Sequence, residues 1–589
     1  MFKEMMHAVK LPFSSLPSRP NFSLFSPPLY FPHPFSIISS PNAAFHLSAK
    51  LRLQCCKPTV QEWLQPPLQD EHVREEENMD NLVKEIKEEI ASYIEGEKGR
   101  CIHQKLKAVD MIQRLGIERF FKEQVKEIMH SLYRQWDQEL GFGSVELTGL
   151  GFRLLRLHGY QVSADVVKEL LEKGGEAGSY SIENYEGIAA LLDLYRCSQT
   201  GFPFESHIMR EAATFAESRL RRALLLEEPH LETNNMRKEI EFSLAYPREY
   251  LLSRLESRSI VEQLWPGDES NYKYLELARL DLNSLHMLYA EEIQEVVSWW
   301  EDAGFTKIEF ARQGVVKSYF TVAASIYEPE YKKFRVEYTK FGMMAALMDD
   351  IYDLKSNCPE DLRLLTKAIH RWDRSILSGL PKHMGVFFNG INAAITNVAE
   401  ESRQYKGWEE LASLHGKEAE WRHSGCIPSL EEYQMVANLS VSTSVTALSP
   451  IFIIGEVISD EMLRLVGQCS RFLYHIGRIS RLSNDIVTSE REERLGKMAS
   501  SIGCFMKDYP GSTKAEAMAH LQGLIESSNR ELEWQLFELK GVVPDSILRA
   551  LINFGRTMAL IYKNSDDFSS MTDRGLEQLL MDFLYKPLA

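Results

Sequence analysis

Two short stretches of the chain carry oxygen ligands at helical spacing. In TKFGMMAALMDDIYDL, Asp349 and Asp353 stand four residues apart, while Met344, Leu347, Met348 and Ile351 form an apolar stripe along the same turns. Carboxylates at that spacing share a helix face and repel one another unless positive charge lies between them. A cluster of hard oxygens suits Mg2+, which keeps several waters and completes its octahedron with substrate phosphate oxygens. The competing reading is a solvated acidic helix end, but this helix is too apolar for an ordinary surface. In GRISRLSNDIVTSEREE, Asn484, Thr488 and Glu492 are spaced four and four, which aligns an amide oxygen, a hydroxyl and a carboxylate on one face. Arg478 and Arg481 precede them, where guanidinium forks can grip phosphate oxygens. By itself the second stretch also reads as a capped, salt-bridged surface helix. Both patterns in one helical block favour a metal site that holds a phosphorylated substrate.

The elements that must position these residues are helices. From about Glu75 onward, apolar residues recur at three- and four-residue spacing, as in MDNLVKEIKEEIASYI and IMREAATFAESRLRRALL, so the expected fold is all-α. Clusters such as LWPGDESN and KDYPGST punctuate the helices. Neither a sustained heptad pattern nor a fixed-period repeat is present. A polar break at residues 231 to 249 predicts two helical domains, residues 56–240 and 241–589, with the chemistry confined to the second. Residues 1–55 are rich in Ser, Pro and Phe with Glu4 as the only acid, which suits a disordered plastid transit peptide and a plastid stroma address. No run approaches the 18 or so apolar residues of a membrane span. The eight cysteines form no CxxC pair, which suggests neither a disulfide framework nor a zinc site. With 67 basic against 84 acidic residues the formal charge is -17, which repels nucleic acid. An anionic substrate would therefore need metal cations or a local basic cluster.

DDIYD resembles the aspartate-rich DDxxD motif of class I terpene synthases, and NDIVTSERE resembles their Asn/Asp, Ser/Thr, Glu motif. Similarity extends from about Thr59 to the C terminus through QRLGIERFF, LELARLDLNSLHMLYAEEI, FARQG, EAEWRHSGCIPSLEEY and LYKPLA, with gymnosperm-like late segments. The resemblance implies a class I α-bundle preceded by a smaller α-barrel-like domain, acting as a monomer. It implies three Mg2+ ions, with Mn2+ as the alternative metal. Asp349 and Asp353, supported by Asp350, would bind two, and Asn484, Thr488 and Glu492 the third. Arg312 and Arg481 would contact the diphosphate. Tyr319, Phe320, Thr321, Tyr562 and Phe568 fall at pocket positions, although buried aromatics in helical proteins are usually ordinary core.

The departures from the family pattern concern the substrate. Gln313 and Gly314 stand where many relatives complete an Arg-x-Arg pair, leaving Lys317 as a substitute contact. Thr321 stands where many place a pocket tryptophan, and Leu53 and Gln54, ahead of Trp63, replace a tandem arginine. The expected reaction is ionisation of a prenyl diphosphate and carbocation cyclisation or quenching. C10 geranyl diphosphate comes first and a geranylgeranyl or bicyclic C20 diphosphate close behind. A class II cyclase is set aside because no Asp-x-Asp-Asp is present. The alternatives are a chain-elongating prenyltransferase, which would need a second DDxxD, and a catalytically silent binding protein, which intact ligands on both helices disfavour.

Overall fold

The three- and four-residue apolar spacing is realised as helix after helix. The computed structural model describes residues 69–95, 101–176, 179–226, 235–264, 270–354, 357–396, 401–441, 445–446, 450–467, 470–494, 498–563 and 574–588. No strand occurs among them, and the architecture is all-α. The expected leader, Leu53, Gln54, Trp63 and the pocket candidate Phe568 lie outside the described residues. Pro66–Ala589 gather into one compact unit.

The helices share their apolar faces among separate cores. One is built by the N-terminal helices, from Leu82 and Ile86 through Leu155 and Leu191 to Leu220 and Ile240. It continues past residues 240/241, taking in Tyr274, Leu277 and Leu282 from the helix Tyr272–Asp302, and Leu588 from the C-terminal tail. With 31 residues that helix runs about 46 Å. Its first half serves the N-terminal core, and its second half packs Tyr289 and Ile293 with Tyr319, Phe320 and Phe583.

The aspartate helix, Lys332–Asp353, buries Phe341, Met344, Leu347, Met348 and Ile351 as the sequence stripe requires. It stops at Leu354, whose backbone turns extended. Two side chains satisfy carbonyls at this end: Arg422 donates to Tyr352 O at 2.9 Å and Asn357 to Ile351 O at 2.9 Å. The second ligand-bearing helix, Arg471–Arg494, packs against Leu430–Ser440 and Lys514–Leu539. Ser429 caps the former, and a capping box of Thr513 and Glu516 starts the latter. Gly477 lets two helices approach closely, because a Cβ there would lie 2.0 Å from Asn438 O. Asp485, 1% exposed, accepts from Tyr433 Oη at 2.9 Å, from the Ser501 backbone N–H at 2.9 Å and from the Ser501 hydroxyl. These bonds fix the rotation of the helix and so the direction of its Asn484, Thr488 and Glu492 face.

Candidate active site

Charge collects at the C-terminal end of the aspartate helix. Arg312, from the segment before the helix Val315–Ala323, meets Asp349 through Nη2 at 2.5 Å and Asp350 through Nε at 2.8 Å. Its backbone N–H also donates to Asp350 Oδ2 at 2.8 Å. Arg422, near the end of the helix Glu401–Ser424, pairs with Asp353. Guanidinium groups thus stand where neighbouring carboxylates need positive charge. Burial disfavours the charge on Arg312, but Asp349 and Asp350 outweigh it and hold the group above the usual arginine range. Asp350 itself is pushed up to about 6 by burial, against the pull of Arg312. Asp349 and Asp353 remain 38% and 29% exposed, so both carboxylates are open to a ligand from solvent.

On the second face, Arg481 donates from Nε to Ala437 O at 3.1 Å and from Nη2 to Ser440 Oγ at 2.9 Å, with Glu418 at 3.5 Å. Thr488 is buried and its hydroxyl donates to Asn484 O at 2.9 Å, leaving its lone pairs as the available donors to a metal. Asn484 and Glu492 are half-buried. Arg478 stands one turn before Arg481 on the same helix. Three residues turn it about 60° off the Arg481 direction, and its guanidinium lies over the Tyr474 ring at 6.0 Å.

Residues that the sequence reading did not single out connect the two faces. His415 Nδ1 lies 3.8 Å from Asp349 Oδ1 and 3.6 Å from Glu418 Oε2, and Glu418 also accepts from Ser440 Oγ at 2.8 Å. Burial raises the Glu418 carboxyl, but Arg481 and His415 overcome it and the net shift is downward. The segment EAEWRHSGCIPSLEEY holds Glu418 and Arg422, yet no spacing ties either residue to the two motifs.

The metal implied by the sequence fits this donor set in kind, because carboxylate, amide and hydroxyl oxygens are the ligands Mg2+ takes. Among the described residues no three His, Cys, Asp or Glu side chains form a ready-made cage. An ion held here would draw its remaining ligands from water and phosphate. Of the pocket candidates, Tyr319 and Phe320 are fully buried: Tyr319 Oη donates to Glu292 at 2.7 Å, and Phe320 meets the Phe583 ring edge-on at 5.1 Å. Thr321 turns its hydroxyl back to Ser318 O at 2.7 Å, and Tyr562 is buried. Gln313, in place of a second arginine, accepts from Trp300 Nε1 at 2.7 Å, while Lys317 is half-buried.

Two family models match the chain: "Terpene synthase, N-terminal domain" over residues 61–244, and "Terpene synthase family, metal binding domain" over residues 301–531. The chain is 35% identical over 522 residues to the bifunctional levopimaradiene synthase, chloroplastic, of Ginkgo biloba, covering 83% of this chain and 60% of that one. The chain thus spans about 60% of the length of the curated relatives it matches. The solved structure of abietadiene synthase from Abies grandis superposes with a TM-score of 0.76 at 32% identity, covering 83% of this chain and 68% of that one. Limonene synthase with 2-fluorolinalyl diphosphate superposes with a TM-score of 0.76 at 26% identity, covering 89% and 97%.

Proposed function

The chain belongs to the terpene synthase family, and on that premise we propose that it is a class I lyase that opens the C–O bond of a C20 prenyl diphosphate and steers the carbocation to a diterpene. The observation that carries this reading is the convergence of charge at one place. Arg312 and Arg422 pair with the aspartates, and Asp349 is linked through His415 and Glu418 to Arg481 on the opposing helix.

Asp349 and Asp353 would hold two Mg2+ ions and Asn484, Thr488 and Glu492 a third. Bound there, the metal supplies fixed positive charge against the departing diphosphate, the kind of stabilisation that dominates such catalysis. Arg312 exchanges Asp349 for diphosphate oxygens, and Asp350 keeps its backbone anchored through the N–H contact. Arg481 is held by Ala437 O and Ser440, so it meets the diphosphate with little reorganisation. Tyr319, Phe320 and Thr321 are buried and the two hydroxyls are hydrogen-bonded, so as a pocket wall they would present no free polar group to a carbocation that must be kept from water.

A C20 substrate is supported by relatives named for the diterpenes levopimaradiene and abietadiene, and by Thr321 in place of a bulkier side chain. A C10 substrate is the second reading, supported by the superposition on limonene synthase with 2-fluorolinalyl diphosphate. A plastid location is supported by the leader composition and by relatives described as chloroplastic. Incubation of the protein with Mg2+ and C10, C15 or C20 diphosphates, followed by gas chromatography and mass spectrometry, tests the reading. A terpene from the C20 substrates is expected. Product from geranyl diphosphate alone would overturn the chain length, and no product from any diphosphate would overturn the activity.

A further inference from the structure

We propose that His415 is a positioning residue that holds Asp349 and Glu418 in register, coupling the aspartate helix to Arg481. This inference rests on the class I reading above. His415 is 3% exposed and stacks on the Tyr352 ring at 5.7 Å, so its ring plane is fixed by the same helix that carries Asp349. Nδ1 faces two carboxylates from two helices, Asp349 at 3.8 Å and Glu418 at 3.6 Å. Nε2 is buried without a hydrogen-bond partner in the structure, so Nδ1 carries the polar contacts of the ring.

The Nδ1 edge of the ring stands between the two carboxylates, in contacts longer than a direct hydrogen bond, and so sets their separation by its position. Glu418 passes the constraint on, since it also meets Arg481 at 3.5 Å and Ser440 at 2.8 Å, and Ser440 in turn accepts from Arg481. The chain of contacts Asp349, His415, Glu418, Arg481 therefore runs from one proposed ligand face to the other. Loss of the Nδ1 edge would let Asp349 and Glu418 shift and leave Arg481 less well aimed. Partners that orient ligands in this way are worth about 10- to 100-fold in affinity.

The two ring nitrogens can be separated by substitution. Asparagine places its amide near the Nδ1 position, whereas glutamine reaches toward Nε2. Calorimetric titration of the full chain with inorganic diphosphate in the presence of Mg2+ measures grip without turnover. His415→Phe and His415→Gln are expected to weaken diphosphate binding about 10-fold. His415→Asn should restore most of the loss, and thermal melting should show all three variants folded. Glu418→Gln should weaken binding in its own right, and combining it with His415→Phe should cost less than the product of the two effects. Wild-type affinity retained in folded His415→Phe, or equal losses in the Asn and Gln variants, would overturn the proposal. Failure of the wild-type protein to bind diphosphate with Mg2+ would instead overturn the class I reading.

Discussion

Glu292 and Arg335 are both fully buried and paired through two contacts, Nε at 2.9 Å and Nη2 at 2.7 Å. Tyr319 Oη donates to the same carboxylate at 2.7 Å, and Arg335 Nη1 donates to Glu328 O at 2.7 Å. The pair thus locks the helix Val315–Ala323, the wall of the proposed pocket, to Tyr272–Asp302 and the aspartate helix. Glu292→Leu leaves a buried guanidinium uncompensated, which costs about 3 to 5 kcal/mol. It also removes the acceptor of a buried phenol, adding about 1 kcal/mol. The sum, about 4 to 6 kcal/mol, is a large part of the 5 to 15 kcal/mol that typically stabilises a folded protein. Glu292→Gln keeps an acceptor for Tyr319 and should cost less, about 3 kcal/mol. Removing both charges in Glu292→Leu/Arg335→Met should recover at least about 2 kcal/mol relative to Glu292→Leu, because no buried charge is left unpaired. Urea unfolding followed by circular dichroism measures all three. A double variant as unstable as Glu292→Leu, or a loss below about 1 kcal/mol in Glu292→Leu, would refute the electrostatic argument.

Asp349→Ala and Glu492→Ala should each lower turnover by more than about 100-fold while leaving the helical circular dichroism intact, since each removes a ligand and not core packing. Retained turnover in either would remove that residue from the metal set. Removing residues 1–55 should leave activity in vitro unchanged, and a large loss would make the leader structural. His158, His286 and His475 are each pushed down to about 3, chiefly by burial and further by neighbouring cations, from an ordinary value of 6.5. The unfolded chain therefore binds more protons than the folded one between pH 6.5 and about 3, and each histidine withdraws stability as pH falls through that window. The slope is up to about 1.4 kcal/mol per pH unit per residue. His475→Asn, which keeps a polar atom near Ser528, should flatten the acid-side slope by one proton. An unchanged slope would show that His475 is protonated in the folded state.

The local parts of the site were legible because they depend on one helix at a time. The stripe Met344, Leu347, Met348 and Ile351 is buried as its spacing requires, and that burial leaves Asp349 and Asp353 on the accessible face. Asp485 lies inside the second motif, yet its role in fixing the helix rotation depends on Tyr433 and Ser501, which no local spacing identifies. His415, Glu418 and Arg422 were missed for the same reason, because their partners sit on other helices. The helix Met236–Ala245 inside the polar stretch 231–249 was not legible from composition, and neither was the extension of the N-terminal core to Leu282, because a 31-residue helix can serve two cores without any change in its apolar period.

A crystal structure of the full chain with Mg2+ and inorganic diphosphate would show directly which side chains hold the metal. Metal density is expected against Asp349 and Asp353, with further density against Asn484, Thr488 and Glu492, and with Arg312 turned from Asp349 to the diphosphate. Diphosphate bound elsewhere, or Arg312 still paired with Asp349 and no metal on either helix, would contradict the metal assignment.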